Sequence, residues 1–168
     1  MRFKCVVLFA IGVCSLVTCG CRPSQVSLKN SLMKAVIADD TSTAKKLIKE
    51  GADANSREPA GGWSALHYAA RNGNVEIVKL LLSAGAEPNY TGTMPGQTGP
   101  TLISVTPIAL AQSMQAMTRV IPASRVEETV RFSDPGGPAL LRSMKDPKAT
   151  DRYQEVIDVL SKVTKRQR

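Results

Sequence analysis

The sequence predicts an all-α repeat solenoid of about three helix-turn-helix units. The first observation is a recurrence: Gly51-Ala52-Asp53-Ala54-Asn55 returns as Gly85-Ala86-Glu87-Pro88-Asn89, 34 residues later. At the same offset Leu66 falls on Leu32, Ala69 on Ala35, Leu81 on Leu47 and Leu82 on Ile48. A fixed period of this size, with two helical patterns inside it, marks stacked supersecondary units rather than one globular core. The second observation is composition. At 168 residues, 43% hydrophobic and 21% charged, the chain is too apolar to stay unfolded and too mixed in charge for a coiled coil. Its length suits one compact domain or a short repeat array.

The second unit, from Trp63 to Leu82, is the clearest. Ser64 is placed to cap a first helix, and the small Ala69 and Ala70 allow close stacking on a neighbour. Gly73 permits a tight turn between antiparallel helices. Ile77, Val78, Leu81 and Leu82 form the stripe of a helix buried along one side, and Gly85 is placed to end it. The run Trp63-Ser64-Ala65-Leu66-His67-Tyr68-Ala69-Ala70-Arg71-Asn72-Gly73-Asn74-Val75-Glu76-Ile77-Val78-Lys79-Leu80-Leu81-Leu82 closely resembles an ankyrin repeat.

The first unit, 28–61, is more polar. Leu32, Ala35 and Val36 mark its first helix, and Ala44, Leu47 and Ile48 its second. Asp39, Asp40, Lys45, Lys46 and Lys49 suit an end repeat with one face in water. After the second unit, 62–105, Thr106-Pro107-Ile108-Ala109-Leu110-Ala111 opens a third, 106–164. Its second helix is displaced by an insertion at 119–146 to a stripe of Tyr153, Val156, Ile157, Leu160 and Val163. Asp146-Pro147 is expected to start that helix, which ends near Thr164. Residues 90–105 lengthen the second hairpin. Inside the second insertion, Ser124-Arg125-Val126-Glu127 predicts a short helix to about Phe132, and Gly136-Gly137 a turn. Long loops of this kind are functional or disordered, and the sequence leaves both open.

The N-terminus reads as an address. Arg2 and Lys4 precede the apolar run Cys5 to Val17, too short for the roughly 20 residues that span a bilayer. This is the layout of a secretory signal peptide over 1–20. Val17-Thr18-Cys19-Gly20-Cys21 resembles a bacterial lipobox, which implies lipidation of Cys21, a linker at 21–27 and an envelope anchor. Cys19 and ordinary signal peptidase cleavage are the alternatives. Arg22, rather than Asp, after Cys21 resembles the outer-membrane sorting pattern; a secreted or soluble periplasmic protein is the other outcome. Without residues 1–20 the chain holds 20 basic and 14 acidic residues, and four of the cations stand at Lys162, Lys165, Arg166 and Arg168. In an exported protein such a tail meets anionic lipid or wall polymer rather than nucleic acid, or simply solvates a helix end.

Little in the chain suggests catalysis. His67 is the one His, so no His-based metal site or Ser-His relay assembles without it. The ankyrin resemblance implies that its ring bonds neighbouring backbone and fixes the hairpin. Asp39-Asp40 and Glu127-Glu128 are adjacent in sequence, which does not make a facing acid/base pair. No phosphate loop, dinucleotide fingerprint or serine-hydrolase elbow is present, so neither cofactor nor metal is expected, and the chain is not expected to be an enzyme. The resemblance implies a protein partner held by hairpin tips and first helices, here Arg57, Glu58, Trp63, Tyr68, Arg71 and Asn72. Trp63 is either an interface anchor or packing under its own hairpin. Tyr90 and Met94 are lesser candidates. The reading is an exported, envelope-anchored interaction module. Its alternatives are a non-specific scaffold on lipid or wall polymer and an envelope enzyme or immunity protein.

Overall fold

A computed structural model describes residues 25–58, 62–95, 102–121 and 137–166. The helices are α1 (Gln25–Ile37), α2 (Thr41–Lys49), α3 (Ala65–Asn72), α4 (Val75–Ser83), α5 (Pro107–Val120), α6 (Gly137–Lys145) and α7 (Ala149–Arg166). Between α4 and α5, β1 (Gly92–Pro95) and β2 (Leu102–Val105) pair antiparallel, with Gly92 opposite Val105 and Pro95 opposite Leu102. The lengthened second hairpin is thus a two-stranded ribbon. No described helix is long and apolar enough to cross a bilayer.

The helices stack in two rows. α1, α3 and α5 pack side by side in one, and α2, α4 and α7 in the other, each antiparallel pair closing one unit. One continuous core runs through all three units: Leu32 and Val36 from the first, Leu66, Ile77 and Leu81 from the second, Ala111, Val156 and Leu160 from the third. This is the expected all-α repeat solenoid. α7 is the displaced second helix, because its Val156 and Leu160 enter the core that the apolar stripe of α4 also enters.

Capping explains where α2, α4 and α5 begin. The Asp40 carboxylate accepts from the Thr43 backbone N–H at 3.0 Å and from the hydroxyls of Ser42 and Thr43 at 2.7 and 2.6 Å. These donors hold its pKa down at about 2. Asn74 accepts from Ile77 N–H at 3.0 Å, and Thr106 from Ala109 N–H at 3.3 Å with Pro107 in the first turn. The tight α1–α2 and α3–α4 turns both need a left-handed residue. Gly73 supplies it at φ +68°, and at the same repeat position Asp39 does so at φ +63°.

Three boundaries differ from expectation. α1 begins at Gln25, so the repeat domain starts inside the expected 21–27 linker. α7 begins at Ala149 rather than Pro147, because the Asp146 carboxylate takes Lys148 N–H at 2.8 Å and its carbonyl takes Ala149 N–H at 2.9 Å, closing a separate turn. Gly137, expected in a turn, opens α6 within the insertion. The apolar side of α6 builds a small cluster of its own, Leu140 and Met144 against Met114, Met117, Ile121 and Leu141. The helix expected at 124–132, the signal segment and Cys21 lie outside the described residues.

Candidate protein-interaction site

The side carrying the hairpins is organised by one imidazole. His67 sits in the first turn of α3, where Nδ1 receives the Ser64 backbone N–H at 3.3 Å and lies 2.8 Å from the Ser64 hydroxyl. Its Nε2 lies 2.9 Å from the Val105 carbonyl and 3.2 Å from the Gly92 N–H. A neutral ring can serve either of those two partners. A doubly protonated ring would turn N–H groups onto the N–H groups of Ser64 and Gly92. Burial accordingly lowers the His67 pKa, an effect its bond to Val105 opposes. The ring ties the cap of α3 to both strands of the following hairpin.

Trp63 covers this junction. Its indole N–H donates to the Thr93 carbonyl at 3.1 Å, its ring stacks on His67 with centroids 6.0 Å apart, and Tyr68 tilts against it at 5.2 Å. Gly92 is required here, since a Cβ on it would come within 2.9 Å of Trp63 Cδ1. At the hairpin tip the Arg57 guanidinium lies 3.8 Å over the Tyr90 ring and 3.2 Å from the Glu87 carboxylate. Glu58 accepts the Tyr68 hydroxyl hydrogen. Asn55 joins neighbouring hairpins by donating to the Gly85 carbonyl at 3.1 Å and accepting Glu87 N–H at 2.9 Å.

At the other end of α3, Tyr153 of α7 donates to the Arg71 carbonyl at 2.8 Å, and Ser143 of α6 donates to the Asn72 carbonyl. Arg152 returns a bond to the Ser143 carbonyl at 2.9 Å. Asp39 accepts from Asn74 at 2.8 Å, while burial raises its pKa against the opposing pull of that bond and of Arg152 and Arg142. The inserted helix is therefore bonded to the ends of the helices it lies beside.

The family model described as ankyrin repeats (3 copies) matches residues 10–92. The chain carries ankyrin repeats. Among curated proteins, the mouse (Mus musculus) 2-5A-dependent ribonuclease is 44% identical over 70 residues, 42% of this chain and 10% of that protein. The bovine (Bos taurus) mitochondrial disaggregase is 41% identical over 83 residues, 47% of this chain and 12% of that protein. Human (Homo sapiens) protein phosphatase 1 regulatory subunit 27 is 38% identical over 61 residues, 36% of this chain and 39% of that protein. The chain thus spans about a tenth of the first two relatives. Ankyrin repeats are protein-interaction modules, generally without catalytic activity of their own. The match ends at residue 92, so the third ankyrin repeat is known from its stacking.

The array sorts the six residues that the ankyrin resemblance singled out. Arg57 and Glu58 stay on the outside of the first hairpin, although Arg57 is already held by Glu87 and Tyr90. Trp63 is half-buried and packs beneath the hairpin that follows it, rather than under its own. Tyr68, Arg71 and Asn72 are 4%, 6% and 0% exposed, so the inner face of α3 does not present them to a partner. Every residue of α3 is buried, which one repeat's periodicity cannot reveal. Tyr90 is half-buried between Arg57 and His67, and the Met94 side chain lies outside the description. Among the described residues, no three His, Cys, Asp or Glu side chains gather as a metal site would need.

Proposed function

We propose that this chain is an exported, envelope-anchored lipoprotein whose ankyrin array binds a periplasmic or envelope protein. The observation that carries the binding part is the bonded hairpin side. Asn55 bonds the first hairpin to the second, and His67 and Trp63 fix the second hairpin on α3, so the array meets a partner already ordered and loses little conformational entropy on binding. The envelope part rests on the basic start, the short apolar run and the lipobox-like Val17–Cys21 stretch.

Two measurements test the parts separately. Metabolic labelling with palmitate in a bacterial host should label the wild-type chain and the Cys19→Ser variant but not Cys21→Ser. Equal labelling of both variants, or none of the wild type, defeats the anchor. For binding, photo-crosslinking residues replace the exposed Asn30, Ser83 and Ala116, one on each repeat. One dominant protein adduct that persists in high salt supports a recognition module, because salt screens a polymer contact far more than a desolvated interface. Adducts to lipid or wall polymer alone at all three positions defeat it.

A further inference from the structure

With the inner face of α3 enclosed, the neighbouring face of α1 stands out. Asn30, Met33, Lys34 and Ile37 recur at the spacing of one helix stripe, and with Arg57 and Glu58 they line a groove of about 220 Å³. Its floor is apolar, with Met33 buried and Ile37 half-buried; its rim is polar, with Asn30, Lys34 and Arg57 exposed. That volume falls below the roughly 300 Å³ at which small-molecule sites begin, and suits a single large side chain.

The charge around the groove is uneven. Glu58 accepts the Tyr68 hydroxyl hydrogen, and Arg57 is shared between Glu87 and the Tyr90 ring. Lys34 has no carboxylate within 4 Å among the described residues. An occupant that places an apolar side chain on Met33 and Ile37 brings its neighbouring residues under this unmatched ammonium.

We propose that the groove between α1 and the first hairpin docks a peptide segment of the partner protein, anchored by one large apolar side chain and flanked by a carboxylate that pairs with Lys34. This inference rests on the array being a protein-binding module, and it moves recognition from the second repeat to the first. An apolar anchor in a pocket with a charged rim is the arrangement that concentrates binding energy in few residues.

The test selects random peptides displayed on phage against the purified full chain. Enriched sequences should share Leu, Ile, Met or Phe next to Asp or Glu. A synthetic peptide of that pattern should bind at least about tenfold more weakly to Lys34→Glu, and its Lys-for-acid counterpart should bind that variant better than the wild type. Lys34 is exposed, so this variant leaves the core intact, and Asn30→Trp, which narrows the groove mouth, should weaken binding as well. Unchanged affinity in both variants overturns the proposal. So does enrichment without the pattern, or a Lys34→Glu effect seen only on phosphatidylglycerol vesicles or on self-association. Crosslinks to protein from positions 83 or 116 but not 30 would sink the groove and spare the interaction module. Absence of protein adducts at all three would sink the module itself.

Discussion

The second and third repeats place their helix pairs alike and connect them differently. Gly73 and Asn74 alone join α3 to α4, whereas 28 residues separate α5 from α7. Both pairs nevertheless feed one core, with Leu81 from α4 and Leu160 from α7 in the same cluster. Lengthening a flexible connection costs only about 0.6 kcal/mol per doubling, or about 2 kcal/mol from two residues to 28, while burying Tyr153, Val156 and Leu160 together contributes more than that. Stacking in this array therefore depends on the apolar stripe, and the connector is free to diverge. The divergence has its own structure. α6 packs on the small Met-rich cluster and fastens to the array end through Ser143 and Arg152.

The largest effects should show the two repeats as equals. Leu81→Ala and Leu160→Ala should each lower unfolding free energy by about 2–5 kcal/mol, in a single transition seen by circular dichroism in urea. Two separated transitions in Leu160→Ala would mean that the third repeat is only loosely attached. Leu140→Ala in α6 should cost less, under about 2 kcal/mol, and act locally. Hydrogen exchange should quicken in the α6 amides and leave those of α3 unchanged.

Gly73→Ala tests the short connector. It forces a Cβ into the left-handed region and within 2.9 Å of the Tyr153 ring, so about 1–2 kcal/mol should be lost. A second variant, Asp39→Gly at the matching turn of the first repeat, removes the left-handed penalty but also the bond from Asn74, so its net change should be smaller than that of Gly73→Ala.

The smallest effect is that of pH. His67 has a lowered pKa in the folded chain, so between that value and about 6.5 the unfolded chain binds more protons. Stability should decline as pH falls through this window. His67→Gln should start lower and lose that slope. Asp40 adds a loss at lower pH, as its carboxylate is protonated between 3.8 and about 2.

Much of the array was legible because its signals are local. Leu32, Leu66, Leu81 and Leu160 announce themselves by spacing, Ser64 and Gly73 by residue type, and Thr106-Pro107 by both. Other features needed tertiary knowledge. Asn72 reads from the ankyrin resemblance as a partner-facing residue, yet it is enclosed by its reach to the Val36 carbonyl at 3.4 Å and by Ser143 on its own carbonyl, partners 36 and 71 residues away. α6 was hidden by its flanks, since Pro135-Gly136-Gly137-Pro138 suggests a turn. The stripe Ala139, Leu140, Ser143 and Met144 behind it was the available signal. Asp40 looked like a surface charge, although Thr41-Ser42-Thr43 after it fits a cap.

The enclosure of α3 also bears on how such a chain can change over time. A helix with all eight residues inside has no outward vocabulary: substitutions there are judged by packing and by buried hydrogen bonds. A lineage adapting to a new partner would have to write its differences elsewhere, on exposed α1 positions such as Asn30 and Lys34, where replacement costs the array little. The repeat most recognisable by sequence would then be the one that says least about whom the protein meets.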